Sequence, residues 1–324
     1  MDKDFPSLTI LLKKEIAFPN FMKRDLISML DVKDDLEEII DLGIKLKQQS
    51  KKGKSIELLK GKTLGMIFEK SSTRTRVSFE VGMTKLGGHA IFLSANDIQL
   101  GRGETIEDTA LVLSRYVDLI MYRAKSNQAM KDLAKYATVP VISGLDDKEH
   151  PCQVITDLMT IKEHKKKLKG LNFVYMGDGN NNMAHSYLIG CGIAGMNVKI
   201  VAPRKYWPDS YYVEEAKKFG VKLEITDRVD NAAKDADIVA TDTWVSMGDE
   251  TQKEQRIREF KGYTIDQTIM RQTKPDAIFI HCLPAYYGYE VTKDVAHGKQ
   301  SVIFDEAENR MWAQIGIMVT LCKK

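Results

Sequence analysis

The chain predicts an α/β protein made of two doubly wound parallel-sheet domains with a shared active-site cleft. Three observations predict it. Short apolar runs of strand length alternate with amphipathic runs of helix length through most of the sequence, the pattern of parallel sheets covered on both faces. The 324 residues are long for a single hydrophobic core, so two are expected. Polar clusters at Ser71–Arg76, Arg123, His150–Gln153, Asp178–Asn182, Asp242–Gly248 and His281–Pro284 nearly all follow the carboxyl ends of expected strands. Open α/β sheets bind their ligands there.

The elements follow in order. A helical lead-in over Asp34–Gln49 precedes the apolar strand pattern "TLGMIFEK". A helix through Thr84 stops at Gly87-Gly88. Then come a strand "HAIFL", a helix near 105–116 with Thr105 and Asp108 as its capping pair, and a strand "LIMYR". A helix near 127–136, a strand "VPVIS" and a helix beginning near Pro151 close the first half. The second half reads as strand "NFVYMGD", helix 183–194, strand "NVKIVAP", helix "DSYYVEEAKKFG", strand "KLEIT", short helix "NAAKDA" and strand "DIVATDTW". "AIFIHCLP" and "SVIFDEAEN" read as further strand openings, and Glu306–Cys322 as a helix. The expected division is 1–148, 149–305 and a C-terminal helix over 306–324.

Composition excludes several classes. A formal net charge of +3 is too mild to point to nucleic acid or a membrane surface. No apolar run reaches the ~20 residues of a membrane span, and the N-terminus carries no recognisable targeting segment. Cys152, Cys191, Cys282 and Cys322 are scattered without CxxC or zinc spacing, so free thiols in the cytoplasm are expected. The lysine runs at 51–54 and 165–169 read as solvated. His89, His164, His185 and His297 have no partner at metal spacing, so neither metal nor cofactor is expected.

One GxGxxG sequence is a decoy. Gly190–Gly195, "GCGIAG", closes a helix before a strand, whereas a dinucleotide site needs those glycines after a strand and opening a helix. Capping and close packing account for them. The stretch "SSTRTR" is different. Ser71, Ser72, Thr73 and Thr75 crowd with Arg74 and Arg76 where a strand turns into a helix. One hydroxyl suffices as an N-cap. Four hydroxyls with arginine, beside unpaired helix N–H groups, suit a phosphate dianion. The Walker pattern is missing, which favours a small phosphorylated molecule over ATP.

Taken with "HPCQ", "DTWVSMG", "HCLP" and "FDEAENR", this turn resembles the aspartate/ornithine carbamoyltransferase family from about residue 22 onward. SMG and HCLP place the resemblance in its ornithine branch. The resemblance implies transfer of a carbamoyl group from carbamoyl phosphate to the δ-amine of L-ornithine, without a cofactor. By position it implies that Ser72, Thr73, Arg74 and Thr75 hold the phosphate, and that Arg123 and His150 polarise the carbonyl oxygen. Gln153 would accept from the carbamoyl NH2, with the backbone carbonyls of Cys282 and Leu283 and the side chain of Arg310 completing that pocket. Asn182, Asp242, Ser246 and Met247 would hold ornithine, with Asp242 and Cys282 biasing the protonation of its amine. A homotrimer, or a multiple of trimers, is implied as well.

Blander roles exist for each of these side chains: His150 as a helix cap, Cys282 as a small buried hydrophobe, Asp242 and Ser246 as loop groups, Arg310 as an exposed helix residue. Two alternatives compete for the whole chain, a carbamoyltransferase for another amine such as putrescine and a non-catalytic anion-binding subunit. Two departures stand out. Ala285, Tyr286 and Tyr287 supply no basic residue after HCLP, and the triple asparagine leaves Asn181 and Asn182 in competition, with counting back from His185-Ser186 favouring Asn182.

Overall fold

A computed structural model describes residues 23–245 and 250–322. Two all-parallel sheets organise it. The first has strand order β2-β1-β3-β4, from β1 (Thr63–Phe68), β2 (His89–Ser94), β3 (Leu119–Arg123) and β4 (Val141–Leu145). The second has order β7-β6-β5-β8-β9, from β5 (Asn172–Met176), β6 (Asn197–Val201), β7 (Leu223–Thr226), β8 (Ile238–Thr241) and β9 (Ile278–His281). β3 is buried along its whole length, and so are β8 and β9, as strands covered on both faces must be.

Helices α1 (Leu36–Lys51), α2 (Thr73–Lys85), α3 (Ile106–Leu113), α4 (Asn127–Tyr136) and α5 (Pro151–Lys165) accompany the first sheet. Helices α6 (Asn182–Ile193), α7 (Ser210–Lys217), α8 (Lys253–Glu259), α9 (Gln267–Met270) and α10 (Lys293–Ala296) accompany the second. The last, α11 (Ile303–Cys322), packs on α1, α2 and α5. It is buried continuously from Trp312 to Leu321, so it is a core helix rather than a surface one. Glycines permit the close approach. A Cβ on Gly316 would lie 2.6 Å from the Ile39 carbonyl oxygen, and one on Gly43 would lie 2.9 Å from that of Trp312.

The strand orders set the site. In the first sheet the winding reverses between β1 and β3, so the β1–α2 turn and Arg123 flank one crevice. In the second it reverses between β5 and β8, which brings the Gly177–Asn182 turn beside Asp242. Ligand crevices form at such switch points. A register shift at Tyr122/Arg123 opposite Leu145 further re-aims the end of β3.

Most elements lie where the sequence places them, including Thr105 as the cap that accepts from Asp108 N at 3.0 Å. Three readings are corrected. "NAAKDA" is a run of turns, because Asn231 (φ 56°) and Asp235 (φ 58°) take left-handed conformations that interrupt a helix. "SVIFDEAEN" contributes one bridge, Phe279 to Ser301, and then enters α11 at Ile303; its apolar residues are the first core turn of that helix. Lys165, in a run read as solvated, folds onto Asp276 at 2.5 Å. The decoy glycines act through packing. A Cβ on Gly190 would meet Val154 at 2.5 Å, one on Gly192 would meet the Phe219 ring at 2.9 Å, and Gly195 ends the helix at φ +69°.

Candidate active site

The cationic half of the candidate site starts at the mouth of α2. Ser72 is extended (φ −161°) and its hydroxyl accepts from Thr75 N at 3.3 Å, so it is the N-cap. The two arginines of the turn part company. Arg76 lies over the Phe92 ring, 3.7 Å from its centroid, with Glu80 at 3.5 Å. It edges a concavity of about 450 Å³ that Ser71, Ser72, Thr73 and Phe92 also line. Arg74 faces inward and donates to the Leu283 carbonyl oxygen at 2.6 Å. Buried Arg123, at the end of β3, has Nη1 at 3.5 Å from Thr75 Oγ1 and 3.4 Å from the Gly144 carbonyl oxygen.

Arg310 of α11 completes a cluster of three guanidinium groups. Burial, and then the charges of Arg310 and Arg74, push Arg123 down to about 10, and burial with Arg310 lowers Arg74 as well. A low-dielectric crevice holding three mutually repelling cations favours a multiply charged anion. His150 shares this field. Burial first, then Arg310, Arg123 and Arg74, hold it well below the usual imidazole range, so it is neutral. Its backbone N–H donates to Ser186 Oγ at 2.8 Å, while its Nδ1 has no hydrogen-bond partner among the described residues.

Between the sheets, α5 and α11 carry a buried polar chain. Gln153 Oε1 accepts from Arg310, and Gln153 Nε2 donates to Asp157 Oδ1 (2.7 Å) and Glu306 Oε1 (2.9 Å). Asp157 Oδ2 accepts from Tyr187 (2.6 Å), and Glu306 Oε2 accepts from His281 N (2.8 Å). The chain therefore ties the arginine cluster to the end of β9.

The opposite half centres on Asp242 and Cys282. Asp242 Oδ1 accepts from Thr243 N at 2.8 Å and from Cys282 Sγ at 3.3 Å. Burial raises Asp242, and burial followed by Asp242 itself pushes the Cys282 thiol well above its usual range. The thiol is a hydrogen-bond donor here, not a thiolate nucleophile. Leu283 holds a left-handed φ of 58°, fixed by its own N–H to His281 Nδ1 (2.9 Å) and by Arg74 on its carbonyl. A non-glycine residue there costs of order 1–3 kcal/mol, tolerated where surroundings over-determine it.

Asn181 is the N-cap of α6, with Oδ1 on Ala184 N (2.8 Å) and Nδ2 on Tyr175 OH (3.1 Å). Asn182 places its Nδ2 on the Asp146 carbonyl oxygen at 2.8 Å. Ser246 and Met247 lie outside the described residues. Asp178 is buried against Arg256, whose Nη1 lies 2.8 Å from Asp178 Oδ2 and 3.1 Å from the Trp244 carbonyl oxygen.

Asp242, His281 and Cys282 form the one group with metal-ligand proximity among the described residues, their ligand atoms lying within 4.8 Å of one another. They fit an ion poorly. His281 Nδ1 already accepts from Leu283, its Nε2 faces Glu290 at 3.3 Å, and the thiol is held protonated. Asp157, Glu306, Glu290 and Arg256 escaped the sequence reading. Gln153/Asp157 and Glu306/Arg310 are both i, i+4 pairs, a spacing that puts each on one helix face and was visible in the sequence.

Two parallel-sheet layers with facing switch-point crevices, one cationic and one offering a carboxylate and a thiol, define a class: enzymes that bring an anionic group donor against an acceptor without a protein nucleophile. Sequence comparison narrows it. Residues 24–163 match the family "Aspartate/ornithine carbamoyltransferase, carbamoyl-P binding domain", and residues 169–321 match "Aspartate/ornithine carbamoyltransferase, Asp/Orn binding domain". The chain belongs to the aspartate/ornithine carbamoyltransferase family. It is 52% identical over 303 residues to an ornithine carbamoyltransferase of Methanosarcina acetivorans, covering 93% of this chain and 100% of that protein. It is 51% identical over 294 residues to that of Caldicellulosiruptor saccharolyticus, covering 90% and 95%. The solved ornithine carbamoyltransferase of Pyrococcus furiosus superposes with a TM-score of 0.88 at 48% identity, over 91% of this chain and 96% of that one.

Proposed function

We propose that the protein transfers the carbamoyl group of carbamoyl phosphate to the δ-amine of L-ornithine, giving L-citrulline and phosphate. The observation that carries this is the convergence of Arg74, Arg123 and Arg310 at the mouth of α2, opposite the Asp242–Cys282 pair. In this reading the α2 N-terminus with Ser72, Thr73, Arg74 and Thr75 grips the phosphate, as helix mouths with arginine do. Arg123 and neutral His150 donate to the carbonyl oxygen, where negative charge develops on attack. Gln153 Oε1, the backbone carbonyls of Cys282 and Leu283, and Arg310 frame the carbamoyl group. Asn182, Asp242, Ser246 and Met247 hold ornithine, with Asn182 preferred over Asn181 because both ends of the Asn181 amide are spent on the cap and Tyr175.

The uncharged amine attacks the carbamoyl carbon. A C–N bond forms, the C–O bond to phosphate breaks with its electron pair leaving on phosphate, and the amine loses a proton. Asp242 and Cys282 adjoin that amine; the departing phosphate is the other acceptor. Positioning two substrates and aiming donors at the developing oxyanion is sufficient chemistry.

Three coarser features belong to the same reading. The carbamoyl phosphate half is read as 1–148, the ornithine half as 149–305 and 306–324 as a segment returning to the first, with α5 (Pro151–Lys165) touching both β4 and α6. A homotrimer is supported by exposed Val77 and Val81 on α2 and Ile91 on β2. Four free cysteines suit the cytoplasm; no helix among the described residues is long and apolar enough to cross a membrane. Purified protein given carbamoyl phosphate with ornithine or putrescine tests the reading: citrulline is expected, and faster carbamoylation of putrescine overturns the substrate assignment.

A further inference from the structure

The polar chain behind the arginine cluster has a feature that substrate binding alone does not require. Glu306 and Arg310 stand one turn apart on the same face of α11, and each takes one end of the same amide. Glu306 Oε1 accepts from Gln153 Nε2 at 2.9 Å, and Arg310 Nη2 donates to Gln153 Oε1. Asp157, one turn along α5 from Gln153, takes the second Nε2 hydrogen at 2.7 Å. Arginine has only donors, and the carboxyl oxygens facing Nε2 act as acceptors. The opposite amide orientation would set donor against donor at Arg310 and acceptor against acceptor at both carboxyl groups. One orientation alone satisfies all partners.

We infer that Glu306 is a positioning residue, which with Asp157 locks the Gln153 amide so that its oxygen faces Arg310 and the carbamoyl pocket. The inference rests on the proposed reading of Gln153 as the acceptor for the carbamoyl NH2. A reversed amide would present two hydrogens to that NH2 group and would repel it. All four residues are buried, so no water competes for these bonds: Gln153 and Glu306 are 1% exposed, Asp157 0% and Arg310 5%. Burial pushes both carboxyl groups up, Glu306 the further, with Asp157 beside it reinforcing the shift. The two carboxyl groups hydrogen-bond to each other, which places one proton between them, and Asp157 also accepts from Tyr187 at 2.6 Å. One net charge then serves five hydrogen-bond relationships, which relieves the cost of two buried anions.

Glu306→Gln tests this. The amide is nearly isosteric but has one acceptor oxygen in place of two, so either Gln153 Nε2 or His281 N meets a donor. The expected result is a kcat lowered about 10- to 100-fold, the range typical of partners that orient a contacting group. The Kd for inorganic phosphate, whose contacts lie on α2, should stay within about threefold. Because Glu306 acts through Gln153, the double variant Gln153→Ala/Glu306→Gln should be no slower than Gln153→Ala alone, within about twofold. A wild-type kcat in Glu306→Gln, or losses that multiply in the double variant, would overturn the inference. Should Glu306→Gln fail to fold, the same cycle with Asp157→Asn decides. A second arm does not depend on turnover: the Gln153 side-chain N–H resonances in ¹⁵N-resolved NMR should shift in Glu306→Gln or Asp157→Asn, and unchanged resonances overturn the lock. If the native chain makes no citrulline, the functional reading fails while this arm still reports on the amide.

Discussion

Arg74→Ala separates catalysis from folding more sharply than any other change at the site. Structurally Arg74 makes one bond of consequence, 2.6 Å to the Leu283 carbonyl oxygen, linking the α2 mouth to the end of β9. A hydrogen bond from a charged donor contributes about 1.5–3 kcal/mol. Two features reduce the net loss here: Arg74 is only part-buried, and its removal relieves repulsion from Arg310, which lies close enough to lower it. A net destabilisation below about 2 kcal/mol, with an unfolding entropy of about 2.1 cal/mol/K per residue over a chain this long, moves Tm by roughly 3 °C. Turnover should fall much further. Losing a preorganised donor to developing or departing charge costs about 3–4 kcal/mol, or 10²–10³ in kcat/KM. Citrulline formation measured beside calorimetric melting gives both numbers from one preparation. Near-wild-type kcat/KM would refute the assignment of the turn. So would a collapse in Tm with full activity in the folded fraction, which would make Arg74 a structural clamp.

Further outcomes follow from the same geometry. Glu149 is buried, accepts from Met29 N at 2.9 Å, and is pushed by burial up to about 7 from 4.5. Because that shift is upward, its contribution to stability is full below about pH 4.5 and is lost as pH rises through about 7, a change of about 3 kcal/mol at 1.36 kcal/mol per unit. Glu149→Gln keeps the acceptor for Met29, so urea midpoints should show it more stable than the native chain at pH 8 and little different at pH 4.5; the reverse order would refute the account. His150 should show no NMR titration between about pH 5.5 and 8, since burial and three arginines hold it neutral; a midpoint near the free value of 6.5 would contradict this. Asn181→Ala should cost about 1 kcal/mol of stability through the lost cap of α6, whereas Asn182→Ala should raise the KM for ornithine with little change in melting. An exchange of those two phenotypes would reassign the turn. Gly316→Ala should destabilise by about 1–3 kcal/mol, because its Cβ would meet the Ile39 carbonyl oxygen at 2.6 Å and backbone cannot easily give way; an unchanged Tm would show that α1 and α11 can separate freely.

How far these features could be read in advance depended on whether their cause was local. Strand and helix periods follow from local alternation, so most elements and the hydroxyl-rich turn at the mouth of α2 were legible, as was the packing role of Gly190–Gly195. "NAAKDA" carries helix-forming residues, yet Asn231 and Asp235 took left-handed conformations, an outcome two short polar side chains permit and composition does not announce. "SVIFDEAEN" begins with β-branched residues; what makes Ile303 the start of a helix is the core that α11 enters, a tertiary cause. At the site, Ser72, Arg74 and Asp242 were visible because hydroxyls, guanidinium and carboxylate beyond strand ends are unusual. Asp157 and Glu306 were not, because an acidic residue in a helix is ordinary until a partner 149 positions away buries it (306 − 157 = 149). Likewise Arg76 and Arg74 are alike in sequence, and only their partners distinguish them: the Phe92 ring and Glu80 for the first, the Leu283 carbonyl oxygen for the second.

The seating of α11 against α1 and α2 has a consequence for how the chain comes into being. Those two helices leave the ribosome early, with Gly43 and Gly82 already shaped to receive a neighbour that has not yet been synthesised. Until the twenty residues of α11 emerge, the faces of α1 and α2 that it covers stay apolar and open to water, so nascent chains halted before Ile303 should depend on chaperones to stay out of aggregates.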